Sequence, residues 1–295
     1  MALASRQSQP AVEQPRRRFR VARWTSFTLT HLLAIGASLV FVYPVIWLLS
    51  ASLKPNWEIY RAPLKLIPSE VQIDVYREIF STTPIPAYML NSVIYAVGSL
   101  LITLFFALIA AYGLSRYQFR GKNTLLILIL TVQLLPGLVR LIPLYLLSQT
   151  LGLYDSRFGI TLIYGAIAIP FAIWFLKSYV DSVPRELDES AAIDGASRLR
   201  ILFQIVAPTI IPGLAAFAIL NFIQGWNEFQ LASVMLRNPN YYPLTVGTYN
   251  LIGPDESNFR LIAAASLVNI VPILVVFSVL QRYLVSGLAA GSVKG

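Results

Sequence analysis

The sequence predicts an all-α integral membrane protein with six transmembrane helices and a helical loop between spans four and five. Three observations carry that prediction. The 295-residue chain is 56% hydrophobic and only 13% charged, whereas soluble domains hold about 25% charged residues; its mean hydropathy is +0.65. Its apolar residues are gathered into runs of the roughly 20 residues that cross a bilayer core about 30 Å thick. Those runs are continuous. A membrane barrel would instead show alternating segments of about ten residues.

The elements follow in order. Residues 1–15 are polar, contain Pro and Gln, and are expected to be disordered. Arg16-Arg-Arg-Phe-Arg before an apolar run imitates a signal peptide, with Ser50-Ala51-Ser52 as a small-residue cleavage pattern. The run at 29–50 is 22 residues long, beyond the roughly 7–15 of a signal core, so it is read as a retained first span. The loop 51–88 carries Pro55, Pro63 and Pro68, then an amphipathic stretch. There Val75/Ile79 and Tyr76/Phe80 recur at i, i+4, as in a helix lying on a surface. Spans two to six are 89–115, 125–147 (interrupted only by Arg140), 158–176, 201–227 and 261–281. The loop 229–260 is rich in Asn, Pro and Gly and holds Tyr241, Tyr242 and Tyr249. The last residues, 285–295, contain three glycines and are expected to form neither a core nor a long helix. Pro44, Pro136, Pro170 and Pro272 are positioned to bend spans, which membrane helices tolerate. No internal repeat or long linker stands out, so one membrane domain (29–284) is expected between a basic tail (1–28) and a short tail (285–295).

Charge sets the expected orientation. With the N-terminus in the cytoplasm, one side receives 15 of the 23 basic residues, among them Arg116, Arg120, Lys122, Lys177, Arg185, Arg198 and Arg200. The 14 acidic residues divide 6 to that side and 8 to the other, so the whole +9 excess falls on one face. Positive-inside bias then puts both termini and the 184–195 loop in the cytoplasm. The basic surplus reads as topology and contact with the lipid bilayer, not as a nucleic-acid surface.

The same inventory excludes much chemistry. Cysteine is absent, which removes disulfides and thiolate metal sites, and the single histidine, His31, removes multi-imidazole sites. No metal site is expected; His31 is read as a residue at the membrane interface. Gly121-Lys122 has Arg116 where a phosphate-binding loop needs its first glycine, and Asn123 follows it. No ATP and Mg site is therefore expected in this chain; if the chain is energised by ATP, the nucleotide and its metal belong to a partner. An ion-coupled secondary carrier would predict repeats and several ionisable groups at the midplane, where Arg140 and Glu228 sit off-centre. A membrane enzyme would need an acid, base or metal cluster that the sequence lacks.

The one long acidic, helix-forming segment between spans is Pro184-Arg-Glu186-Leu-Asp-Glu189-Ser190-Ala191-Ala192-Ile-Asp194-Gly195. Ser182 is a candidate N-cap, Pro184 and Glu186 suit a first turn, and Gly195 suits a left-handed stop. Ser197 would cap a second helix over 198–205 leading to Pro208. Two short helices at an angle, with little bulk at Ala191 and Ala192, would make a knob for a cleft; an ordinary amphipathic loop is the plainer alternative. The segment resembles the E-A-A, three residues, G, nine residues, I-x-L-P loop of ABC-importer permeases. Glu189, Ala191, Gly195, Ile205 and Pro208 fall in register, and Ser190 and Ala207 depart from it. The resemblance extends over about residues 29–295 to sugar-importer permeases of the maltose type. It rests on Lys54-Pro55, Asn91-Ser92, Ala111-Tyr112-Gly113-Leu-Ser-Arg116, Ile142-Pro143-Leu-Tyr145, Leu151-Gly152-Leu153, Trp226-Asn227-Glu228-Phe229 and the Ala290-Gly291 ending.

That resemblance implies a non-catalytic permease subunit for a sugar or oligosaccharide in a prokaryotic cytoplasmic membrane. Its implied partners are a second permease subunit, two copies of an ABC ATPase and an extracytoplasmic solute-binding protein. Glu186, Glu189, Ala191, Ala192, Asp194, Gly195 and Pro208 would couple to the ATPase, and the glycine-rich tail would reach toward it. Polyol-phosphate or amino-acid importers remain the alternative solute classes. For the solute path, two polar stripes stand out, because polar groups facing lipid are costly. Span two carries Ser92, Tyr95, Ser99 and Thr103 on one face, and span five carries Asn221, Gln224 and Glu228 beside Trp226 and Asn227. Hydrogen bonding between helices is the favoured reading in span two; in span five it stands level with contact to sugar hydroxyls. Arg140 reads as a structural cation that snorkels or pairs with Glu228.

Overall fold

The computed structural model describes residues 16–63, 65–251 and 259–292; the expectation for 1–15 lies outside them. The chain falls into two compact units, Met1–Leu48 and Leu49–Gly295. The first helix, Arg16–Ser52, takes in residues assigned above to a tail; arginine is a good helix former, so the basic run extends the helix. The described elements are helical, as predicted.

Among the described residues, four helices are long and apolar enough to cross a membrane unbroken: Leu29–Ser52, Ile85–Arg116, Arg157–Asp181 and Phe259–Tyr283. They are spans one, two, four and six. Spans three and five are bent pairs. Lys122–Gln133 meets Gly137–Thr150 at 97°, and Arg198–Thr209 meets Ile211–Trp226 at 82°. The sequence showed both as continuous apolar runs, because hydropathy reports the environment of a segment and not its direction. Pro136 sits in the first break with extended backbone (φ −55, ψ 139). The second falls at Ile210 (φ −99, ψ 19), after a π-helical turn over Leu202–Val206. Pro212 has no N–H to offer the carbonyl one turn back. Pro44, Pro170 and Pro272 lie inside unbroken helices.

Spans two and four form the central pair. A Cβ added at Gly165 would lie 2.8 Å from the Ile102 side chain, so the absence of a side chain permits the close approach common between membrane helices. At one end of this pair Ala107, Leu108, Ala111, Leu176, Val180, Ile201 and Val206 form a core; it holds the loop between spans four and five. At the other end Val75, Ile79, Ile85 and Tyr88 pack with Ala264 and Ala265 of span six. The amphipathic helix Asp74–Thr82 thus buries its Val75/Ile79 face within the protein and leaves Phe80 exposed. Arg260 fastens it, its Nη2 lying 2.5 Å from Asp74 Oδ1. That guanidinium is the main reason the Asp74 carboxyl titrates below the usual range. In the preceding loop, Glu58 accepts hydrogen bonds from Ser69 Oγ (2.7 Å) and Ser69 N–H, which likewise hold its pKa down.

The final helix overturns one expectation. Phe259–Ser292 is helical through Gly287 and Gly291. Two glycines cost about 1 kcal/mol each relative to alanine, and the neighbouring leucine and alanines keep the segment helical.

Candidate functional site

Two features collect the polar residues singled out above. The first is a cavity of about 400 Å³ midway along spans two and four. Its walls come from four spans: Ser99 from span two, Gln133 and Arg140 from span three, Tyr164 from span four, and Asn221, Gln224 and Glu228 from span five. Asn221 is 5% exposed, and among the described residues its buried Oδ1 has no hydrogen-bond partner. Glu228 is fully engaged. Tyr164 donates its hydroxyl to Oε2, and the backbone N–H groups of Leu231 (2.7 Å) and Ala232 (3.1 Å) donate to the two carboxylate oxygens. The carboxylate therefore starts the Gln230–Met235 helix as an N-terminal acceptor. Arg140 lines the same cavity, but among the described residues no ion pair joins it to Glu228. The expected pairing is corrected on that point: backbone donors and Tyr164 already fill the carboxylate.

The rest of the sequence-derived path divides plainly. In span two, Ser92 Oγ accepts from Leu244 N–H (2.8 Å) and Tyr95 donates to Tyr241 O (2.6 Å). Thr103 Oγ1 donates to Gly165 O (3.0 Å). Asn91 Nδ2 adds bonds to Asn240 O and Tyr242 O, both at 2.9 Å. Ser92, Tyr95 and Asn91 thus hold the segment after span five, Thr103 bonds to span four, and Ser99 bonds back to Ala96 O and lines the cavity; Ser92 and Tyr95 do not line it. Trp226 is fully buried, stacks on Phe222 and donates Nε1–H to Asn269 O (3.0 Å), so it offers the cavity no ring face. Asn227 is exposed and bonds back to Ile223 O.

The second feature is the loop between spans four and five. Arg185–Ile193 is a helix with Glu186 and Asp188 in its first turn, where carboxylates face a favourable dipole. Its N-cap is Pro184, not Ser182. Ser182 instead closes the preceding helix, its hydroxyl bonded to Tyr179 O. Gly195 stops the loop helix at φ +82, a conformation that disfavours any side chain. Ser197 caps Arg198–Ile201 through Arg200 N–H, as expected. Glu186, Glu189, Ala192, Asp194, Gly195 and Pro208 are exposed, whereas Ala191 is buried against the protein's own core. Ala191 thus seats the loop from within. At the tip, Ile193 is 86% exposed and Leu199 58% exposed. Sequence reasoning passed over this apolar pair because it followed charge and glycine.

It also passed over the loop's anchor. Asp188 is buried and accepts three hydrogen bonds from the last turn of span two: Tyr112 Oη (2.9 Å), Arg116 Nε (2.9 Å) and Arg116 Nη2 (3.3 Å). Arg116 also donates to Val183 O (3.0 Å). The available signal was the pairing of Arg116, at the end of a span, with an acidic loop on the same face.

A bundle of hydrophobic spans around a polar cavity, with an exposed helical loop rigidly seated at one end, defines a polytopic helical membrane protein of the transport class. The binding-protein-dependent transport system inner membrane component family model matches residues 103–289, and the chain belongs to that family. It is 36% identical to the galactooligosaccharides transport system permease protein of Bacillus subtilis (strain 168), over 94% of this chain and 98% of that one. It is 32% identical to the maltodextrin transport system permease protein of the same organism, over 93% and 98%. Among solved structures, a chain from a bacterial ABC transporter involved in import of the acidic polysaccharide alginate superposes with a TM-score of 0.78. That chain is 26% identical, with 94% of this chain and 100% of that chain covered.

Proposed function

We propose that this chain is one permease half of an ATP-driven importer for a sugar or oligosaccharide. It would work beside a second permease subunit, two copies of an ABC ATPase that bring ATP and Mg, and an extracytoplasmic solute-binding protein. The observation that carries the solute class is the cavity itself. Its volume falls within the roughly 300–1,000 Å³ of small-molecule sites, and it presents Asn221, Gln224, Gln133 and Ser99, uncharged groups that exchange hydrogen bonds with hydroxyls. The side chain of Asn221 stands in that wall, with its Oδ1 turned away from the cavity and closed off by the surrounding atoms. The names of the relatives point the same way, and neither of those above is an amino-acid or polyol-phosphate carrier. Loss of Trp226, Asn227, Ser92 and Tyr95 from the cavity wall narrows the proposed path to Ser99, Asn221, Gln224 and their neighbours.

Coupling is proposed through the exposed side of the loop helix, with Glu186, Glu189, Ala192, Asp194 and Gly195 facing the ATPase and Pro208 setting the return to the membrane. The excess of basic residues on that side supports a cytoplasmic placement. The test is uptake of galactooligosaccharides and maltodextrins by vesicles carrying the complete complex. Asn221→Leu should lower uptake about tenfold or more, as removal of a buried hydrogen-bonding partner does, while ATPase association is unchanged. Full uptake by Asn221→Leu would remove the cavity from the solute path.

A further inference from the structure

The loop helix is attached to the bundle in two unlike ways. On one side it is fixed. Asp188 is buried with Arg116, the two side chains 6% and 8% exposed, and three hydrogen bonds from span two converge on its carboxylate. Around it, Arg185 Nη2 donates to Ser115 O (3.2 Å), Ser115 Oγ donates to Asp181 (2.6 Å), and Lys177 pairs with Asp181 (2.5 Å). Val183 and Ala191 sit in one core with Ala111, Leu176 and Val180. Span two is a single unbroken helix from this lock to Ser99 at the cavity, and span four is unbroken from Asp181 to Tyr164.

On the other side the attachment yields. The chain leaves through Arg198–Ile201 and the π turn, still inside the same core at Ile201, Leu202 and Val206. It then breaks by 82° before Ile211–Trp226, the half-span that carries Asn221 and Gln224. A π turn and a proline break are places where helices change direction at low cost.

We propose that Asp188, through Arg116 and Tyr112, is the positioning residue that welds the loop helix to spans two and four. A displacement of the loop then moves that wall of the cavity as one body, and the Ile211–Trp226 wall yields at its break. The proposal rests on the coupling role given to the loop above. It assigns transmission to a buried residue that no ATPase surface could touch.

The test uses the assembled complex in nanodiscs. ATP hydrolysis is measured with and without its solute-binding protein and a galactooligosaccharide–maltodextrin mixture. Asp188→Asn keeps the size of the side chain and removes its charge. Its basal hydrolysis should stay near the wild-type value while the stimulated-to-basal ratio falls about three- to tenfold. The charge-exchanged pair Arg116→Asp with Asp188→Arg should recover part of that ratio. A wild-type ratio in Asp188→Asn overturns the proposal. If Asp188→Asn fails to assemble, Tyr112→Phe decides, since it removes one of the three bonds: a normal ratio there overturns the proposal and a lowered one supports it. Glu189→Lys separates this from the underlying reading. If it leaves ATPase association and stimulation intact, the docking role of the loop fails whatever Asp188→Asn does.

Discussion

At the scale of single residues, conformation was easier to read than contact. Gly195 was legible because a glycine closing a short helix has one common use, and its φ of +82 is that use. Ser182 was misread because a serine two residues before a proline suits either end of a helix, and only the length of span four decides which. The Asp188–Arg116 pair was not legible, since residues 72 apart in sequence meet only through the crossing of two spans. Two outcomes follow at this scale. Glu189→Lys, on the exposed face, should insert normally and lose ATP-driven uptake, which co-purification of the ATPase beside an uptake assay would check. Gly165→Leu should destabilise the permease by about 1–3 kcal/mol, the usual cost of overpacking, because its Cβ alone would press on Ile102. The readout is thermal unfolding in detergent; an unchanged midpoint would mean that spans two and four do not pack at this contact.

At the scale of elements, the existence and order of the six spans followed from apolar runs, but the shapes of two did not. Pro136 broke span three, while Pro44, Pro170 and Pro272 left their helices intact. A proline removes one donor wherever it stands, and the packing around it decides whether the chain turns. The helix Asp74–Thr82 shows the converse, since its period of apolar residues was clear but its partner, span six, was not. Its attachment should depend on pH. The folded-state pKa of Asp74 is lowered, chiefly by Arg260. The pair therefore favours the folded state above the ordinary aspartate value of about 3.9, and that contribution is lost as pH falls through the lower, folded value. The protection of residues 74–82 against hydrogen exchange, taken relative to the intrinsic rate at each pH, should fall on acidification below about pH 4 in the wild type. In Asp74→Asn exchange should be raised already at neutral pH and show no such step. A wild-type protein without the step would show that Val75 and Ile79 hold the helix unaided.

At the scale of the whole molecule, one property organises the rest: which end of the bundle faces the cytoplasm. The loop helix, Arg116, Lys122, Lys177, Arg185, Arg198 and Arg200 share one end of spans two to five, and the segment around Asn240 stands at the other. Basic residues are retained on the cytoplasmic side during insertion, whereas acidic residues carry little weight. The loop helix, though acidic itself, therefore does not oppose a cytoplasmic placement. The chain contains no cysteine, so single introduced thiols report without background. Asn240 and Ser197 are both exposed, and neither lies in an apolar stretch. A cysteine at Asn240 should react with a membrane-impermeant maleimide on intact cells from which any outer layer has been stripped. A cysteine at Ser197 should react only after the membrane is opened. If Ser197→Cys is labelled first, the loop helix faces away from ATP and the coupling role proposed for it cannot stand. If both react from outside, the segment between them crosses the membrane an even number of times, and the bent pair Arg198–Thr209 and Ile211–Trp226 is a re-entrant hairpin and not a span.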